Sequence, residues 1–127
     1  MNGSVLLDTN IVINFFRNDA TTVKQVALIK KVFVPSIVMG ELFFGAHKSA
    51  NPQKHITQIE QFKPHITILS VDEKTAIFYG QIKNHLKQIG NPIPENDIWI
   101  AAITQQYQLP LMTKDRHFQI IPDISIV

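Results

Sequence analysis

The chain has 127 residues, 45% of them hydrophobic and 17% charged, with a net charge of +2, which is the size and composition of one globular domain with a core of its own. The absence of cysteine excludes disulfides, thiolate nucleophiles and cysteine-based zinc sites. No apolar run is long enough to span a bilayer and no secretion signal opens the chain, so the expectation is a single domain, residues 1–127, in the cytoplasm.

Ser4-Val5-Leu6-Leu7 is a short apolar run suited to a buried parallel strand. It ends at Asp8-Thr9-Asn10, and Ile11 to Phe16 continues as a helix that Asn18-Asp19 breaks. A second helix is expected from Thr22 to Lys31, followed by a strand, Val32-Phe33-Val34-Pro35. Ser36 suits the N-cap of a helix from Ile37 to about Ala50, because its hydroxyl can accept from the first free amides. Asn51-Pro52 stops that helix and starts another, to about Phe62.

Ile66-Thr67-Ile68-Leu69 is the third expected strand, and Asp72-Glu73 begins a helix to about Ile89 with apolar positions at Ala76, Tyr79, Ile82, Leu86 and Ile89. Gly90 to Pro94 is a stiff loop. The segment Glu95 to Tyr107 is apolar around its whole circumference in its first two turns, which predicts a central, buried helix. Leu109 to Met112 reads as a fourth strand leading to Thr113-Lys114-Asp115, and Ile124 to Val127 as a last strand closing the sheet edge. Strands alternating with helices imply an α/β sandwich with a mainly parallel central sheet of four to five strands. Ligand sites in such sheets lie beyond the carboxyl ends of the strands.

Three carboxylates stand alone in uncharged stretches. Asp8 is the first charged side chain and none follows until Arg17. Glu41 interrupts Ile37 to Ala46, and after Asp97 the next charge is Lys114. An isolated buried carboxylate is costly, so each needs a partner distant in sequence, and a shared cation is the economical one. Asp115 joins them by topology: Asp8 and Asp115 follow strands, while Glu41 and Asp97 lie near helix starts. Taken singly, Asp8 and Asp97 also fit helix caps or first-turn acids, and Asp115, between Lys114 and Arg116, also fits a turn.

Two like charges about 5 Å apart repel by roughly 3 kcal/mol at an effective dielectric near 20, so four clustered carboxylates would cost on the order of 10–20 kcal/mol if all were ionised. Hard divalent cations, Mg²⁺ or Mn²⁺, suit an all-oxygen set and assist in-line displacement at phosphorus. Setting the four acids aside leaves 12 basic against 6 acidic residues, a surface suited to a polyanion.

Leu6-Leu7-Asp8-Thr9-Asn10, the Glu41 helix, Asn96-Asp97 with Ile100-Ala101-Ala102, and Thr113-x-Asp115, in that order, resemble the motifs of PIN-domain nucleases over essentially the whole chain. At this length the resemblance is to VapC-type toxins of toxin–antitoxin pairs. It implies a PIN-like three-layer sandwich and a metal-dependent endoribonuclease. Asp8, Glu41, Asp97 and Asp115 would ligate Mg²⁺ or Mn²⁺ and position the attacking water. Thr113 and Asn10, and less directly Thr9, would support them through side-chain hydrogen bonds, although turn and cap chemistry also accounts for these three. An RNA substrate, a homodimer and an antitoxin partner are further implications.

The competing readings are a non-cleaving PIN-like module that binds RNA or protein, and a phosphohydrolase acting on a small substrate. Asn10 occupies the place of the second aspartate of the haloacid-dehalogenase pattern, and no glycine-rich phosphate loop is present. The five histidines, His47, His55, His65, His85 and His117, read as surface residues; His117, near Asp115, is the one singled out for testing. Trp99 reads as core, as does at least one residue of each pair Phe15-Phe16 and Phe43-Phe44.

Overall fold

The structure is a computed structural model and describes residues 3–127. Its centre is a sheet of four parallel strands: β1 (Ser4–Leu7), β2 (Lys31–Pro35), β3 (Thr67–Leu69) and β4 (Leu111–Met112), in the order β3-β2-β1-β4. Six helices flank it among the described residues: α1 (Thr9–Phe16), α2 (Ala20–Ala27), α3 (Ser36–Lys48), α4 (Pro52–Phe62), α5 (Glu73–Gln88) and α6 (Glu95–Tyr107). The expected α/β sandwich is therefore the observed one. Leu6 anchors the register, opposite Phe33 on one side and Leu111 on the other. Val5, Leu6 and Leu7 are almost completely buried, as a central strand covered on both faces requires.

Parallel pairing puts the carboxyl ends of all four strands on one edge. Asp8, the start of α3, and Thr113 follow β1, β2 and β4 there. α6 has the expected bounds and is the most deeply buried helix, with Ile98, Ile100, Ala101, Ala102, Ile103 and Thr104 inside. It packs chiefly on α5. Their contact includes a near-parallel stack of Tyr79 on Trp99, with ring centroids 4.0 Å apart. Trp99 is only partly buried, so it closes this helix pair and is not a member of the central core.

Several boundaries differ from expectation for tertiary reasons. α2 begins at Ala20 because the Asp19 carboxylate accepts from the Thr22 amide at 3.1 Å and the Thr22 hydroxyl at 2.7 Å. It ends at Ala27 because Lys31 pairs with Ser4 and opens β2. Ser36 is the first residue of α3 and not its cap; Pro35 occupies the cap position and offers no side-chain bond. On α5 the buried positions are Thr75, Ile82 and Leu86, while Ala76 and the C-cap residue Ile89 face solvent. The segment at Ile124 to Val127 forms one parallel bridge, Ile126 to Leu111, and not a full strand. Phe15 and Phe16 pack on Phe62, whereas Phe44 is 63% exposed. No helix among the described residues is long and apolar enough to cross a membrane.

Candidate active site

Asp8 leaves β1 and caps α1, so the helix-cap reading holds for it. Its Oδ1 accepts from the Thr9 amide at 2.7 Å, its Oδ2 accepts from the Thr113 hydroxyl at 2.6 Å, and the residue is 4% exposed. The Thr113 oxygen in turn accepts from the Asp115 amide at 3.0 Å. One hydroxyl thus ties the end of β1 to the loop after β4. On the other flank the Thr9 hydroxyl donates to Glu41 Oε1 at 2.9 Å, which ties the start of α1 to the second turn of α3.

Asp115 begins a short 3-10 turn, Arg116–Ile120, and its Oδ1 accepts from the His117 amide at 2.9 Å. An aspartate bonding the amide two residues on is a common turn device. Phe118, fully buried, fixes the turn to the core. The His117 ring then reaches across to α6, where its Nδ1 lies 3.0 Å from Asp97 Oδ2 and 3.0 Å from Asp115 Oδ1. Asp97 sits in the first turn of α6, so the first-turn reading also holds for it.

A continuous run of side-chain and backbone bonds therefore joins all four acids: Glu41 to Thr9, Asp8, Thr113, Asp115, His117 and Asp97. Thr9 and Thr113 both bond to the acids. Asn10 does not: its Oδ1 is buried without a hydrogen-bond partner. His117, expected as a surface residue, is half exposed and also holds two acids together. The sequence signal for it was the Asp-x-His spacing ahead of an apolar anchor at Phe118, a pattern that takes meaning only once Asp97 is known to lie opposite.

The electrostatics are those of crowded like charge. Burial raises the Asp8 carboxyl above its ordinary value, against the bonds from Thr113 and Thr9, and the nearby Asp115 adds to the rise. Asp97 is also raised, first by burial, then by Asp115 and Asp8, while the His117 hydrogen bond opposes the rise. His117 is raised mainly by its bond to Asp97. Among the described residues no lysine or arginine forms a salt bridge with any of the four acids. Oxygen donors crowded in this way, with His117 the one basic group paired to them, are what a hard divalent cation fits. Among the described residues the donor atoms of Asp97, Asp115 and His117 are close enough together to hold one, with Asp8 beside Asp115 and Asp97 and Glu41 joined through Thr9.

The PIN domain family model matches residues 5–124. The chain belongs to the PIN-domain family, in its VapC branch. It is 39% identical over 119 residues to ribonuclease VapC2 of Haemophilus influenzae, a match spanning 90% of this chain and 89% of that one. It is 31% identical over 124 residues to the tRNA(fMet)-specific endonuclease VapC of Salmonella typhimurium, spanning 95% and 94%. Among solved structures, DNA-bound VapBC from Salmonella typhimurium superimposes with a TM-score of 0.90 at 30% identity, covering 98% of this chain and 96% of that one. VapBC-1 from nontypeable Haemophilus influenzae gives 0.89 at 30% identity with the same coverage. The PIN fold thus accounts for the parallel sheet and for the single rim on which the acids meet. PIN-domain nucleases are in general dependent on divalent metal, and the carboxylate cluster here is of that kind.

Proposed function

We propose that the protein is a metal-dependent endoribonuclease, one PIN-like domain over residues 1–127, acting in the cytoplasm as the toxin of a VapBC-type toxin–antitoxin pair. The observation that carries the reading is the bonded run joining Asp8, Glu41, Asp97 and Asp115 at the carboxyl edge of the sheet. In this reading the four carboxylates hold Mg²⁺ or Mn²⁺. Bound divalent cations supply charge neutralisation at a phosphate and acidify water.

The protein's own contribution is placement. The Thr113 hydroxyl and the Thr9 amide fix both oxygens of Asp8, so that this buried carboxylate keeps one orientation. Thr9 engages one oxygen of Glu41, and the other is left to face the ion or its water. Attack by water forms a new P–O bond as the P–O bond to the departing ribose oxygen breaks; the water's proton passes to a site carboxylate and the departing oxygen takes up a proton from solvent. Lys114 and Arg116, exposed on either side of Asp115, would meet the flanking phosphates in this reading.

The VapBC structures above contain toxin with antitoxin, which supports an antitoxin partner for this chain as well. A groove of about 470 Å³ beside Glu41, lined by Ile13, Phe16, Arg17, Leu42 and Ile59 among others, suits an apolar segment of such a partner. A homodimer belongs to the same reading.

Purified protein incubated with defined RNAs, initiator tRNA first because of the Salmonella relative, should cut internally with Mg²⁺ or Mn²⁺ and stop with chelator. Asp97→Asn should be inactive. Chelator-resistant cutting, or full activity in Asp97→Asn, would refute the proposal. Light scattering tests the dimer.

A further inference from the structure

His117 is singular among the five histidines because one ring atom meets two acids at once. Its Nδ1 lies 3.0 Å from Asp97 Oδ2 and 3.0 Å from Asp115 Oδ1. Neighbouring ligands about 2.1 Å from an octahedral ion stand about 3.0 Å apart, and opposite ones about 4.2 Å. The three ligand atoms all lie within 4.8 Å of one another. The two nitrogen–oxygen separations are thus those of neighbouring corners of a coordination octahedron, and the limit on the oxygen–oxygen separation admits either arrangement.

The ring is also held in place. The His117 amide donates to Asp115 Oδ1 at 2.9 Å, and Phe118, the next residue, is fully buried. The backbone that carries the ring is fixed at both points, and the ring is directed at the acids although 47% of the side chain is solvent-accessible.

We propose that His117 ligates the metal directly through Nδ1, together with Asp97 and Asp115, and that this mixed nitrogen–oxygen set selects a first-row transition ion such as Mn²⁺ over Mg²⁺. The inference rests on the metal-dependent reading of the carboxylate cluster. Mg²⁺ is bound through oxygen and keeps much of its water, whereas transition ions accept imidazole readily. The ring coordinates as neutral imidazole with its proton on Nε2, so the ion takes the place between Nδ1 and the two carboxylates that the Nδ1 hydrogen bond to Asp97 now fills.

The test uses the full chain loaded with Mn²⁺. Pulsed electron paramagnetic resonance should show the nitrogen coupling of a directly bound imidazole, lost in His117→Ala and in His117→Gln. Calorimetric titration should show Mn²⁺ affinity falling by about 10–100-fold in both variants, while Mg²⁺ affinity, resting on oxygen donors, changes by less than about threefold. His117→Ala keeps the backbone bond to Asp115, and its melting in chelator checks the fold. The wild-type spectrum decides alone if that variant does not fold. Mn²⁺ bound without nitrogen coupling, equal losses for both ions, or recovery of Mn²⁺ affinity by glutamine would overturn the proposal. Mn²⁺ binding that is abolished by Asp97→Asn yet shows no nitrogen coupling would overturn His117 ligation and leave the carboxylate site standing. Failure of the wild type to bind either ion would overturn both.

Discussion

Asp8→Asn should make the metal-free protein more stable and the enzyme nearly inactive. Asparagine has the same shape and is as good an N-cap as aspartate. Its Oδ1 can still accept from the Thr9 amide. Its amide group can donate to the Thr113 oxygen, whose own proton turns away, in place of the present 2.6 Å bond. The exchange weakens two charge-assisted bonds, a loss of about 1–2 kcal/mol. It also relieves the desolvation of a buried carboxylate, the largest effect on Asp8, and to a lesser degree its repulsion by Asp115, together roughly 3 kcal/mol. The net gain is about 1–2 kcal/mol, which for a chain of this length raises the melting temperature by roughly 3–10 °C.

Circular-dichroism melts in chelator at pH 7 read this directly. Saturating Mn²⁺ should reverse the order, because only the wild type keeps the full ligand set and a ligand bound to the native state alone stabilises it. RNA cleavage should fall by about 10²–10³-fold. The pH dependence has a definite sign. The folded Asp8 carboxyl titrates above its ordinary value of 3.8, so its charge destabilises the wild type fully above the folded value. That penalty fades as pH falls toward 3.8, and the advantage of the variant should fade with it. A variant that melts well below the wild type in chelator would refute the reasoning, since the carboxylate would then be net stabilising without metal.

Thr113→Val keeps the shape but removes the hydroxyl that serves both Asp8 and the Asp115 amide; stability should drop by about 1–3 kcal/mol, with cleavage lowered and Thr113→Ser restoring both, as melts and rate assays would show. Thr9→Val frees Glu41, and the rate constant should fall about tenfold with the melting temperature little changed. Asp72 lies below its ordinary carboxyl range, chiefly through the Thr75 amide. Its charge-linked contribution to stability is therefore present above 3.8 and lost as pH falls through the folded value, so Asp72→Ala should melt lower than wild type at pH 7, by a margin that narrows in strong acid.

The parts of the fold visible in the sequence are those set by local pattern. The apolar run before Asp8 gave β1, and the all-round apolar segment gave α6 with both ends correct. The end of α2 was hidden because Lys31 is claimed by pairing with Ser4, a partner 27 residues away by their numbers. Asp8, Glu41, Asp97 and Asp115 were legible as candidates because a lone carboxylate in an apolar stretch needs a partner. What joins them was not. The Thr113 bond to Asp8 spans 105 residues and the Thr9 bond to Glu41 spans 32, and no local rule distinguishes Thr9, which bonds, from Asn10, which does not. His117 was undervalued for the same reason: its second acid, Asp97, is 20 residues distant.

Trp99 is the one tryptophan in the chain, stacked on Tyr79 and two residues beyond Asp97 on the same helix. Its intrinsic fluorescence is therefore a built-in reporter of the clasp that holds the amino end of α6 in position. Ultraviolet excitation of unlabelled protein would register loosening of that clasp as a red shift, separately from melting of the sheet.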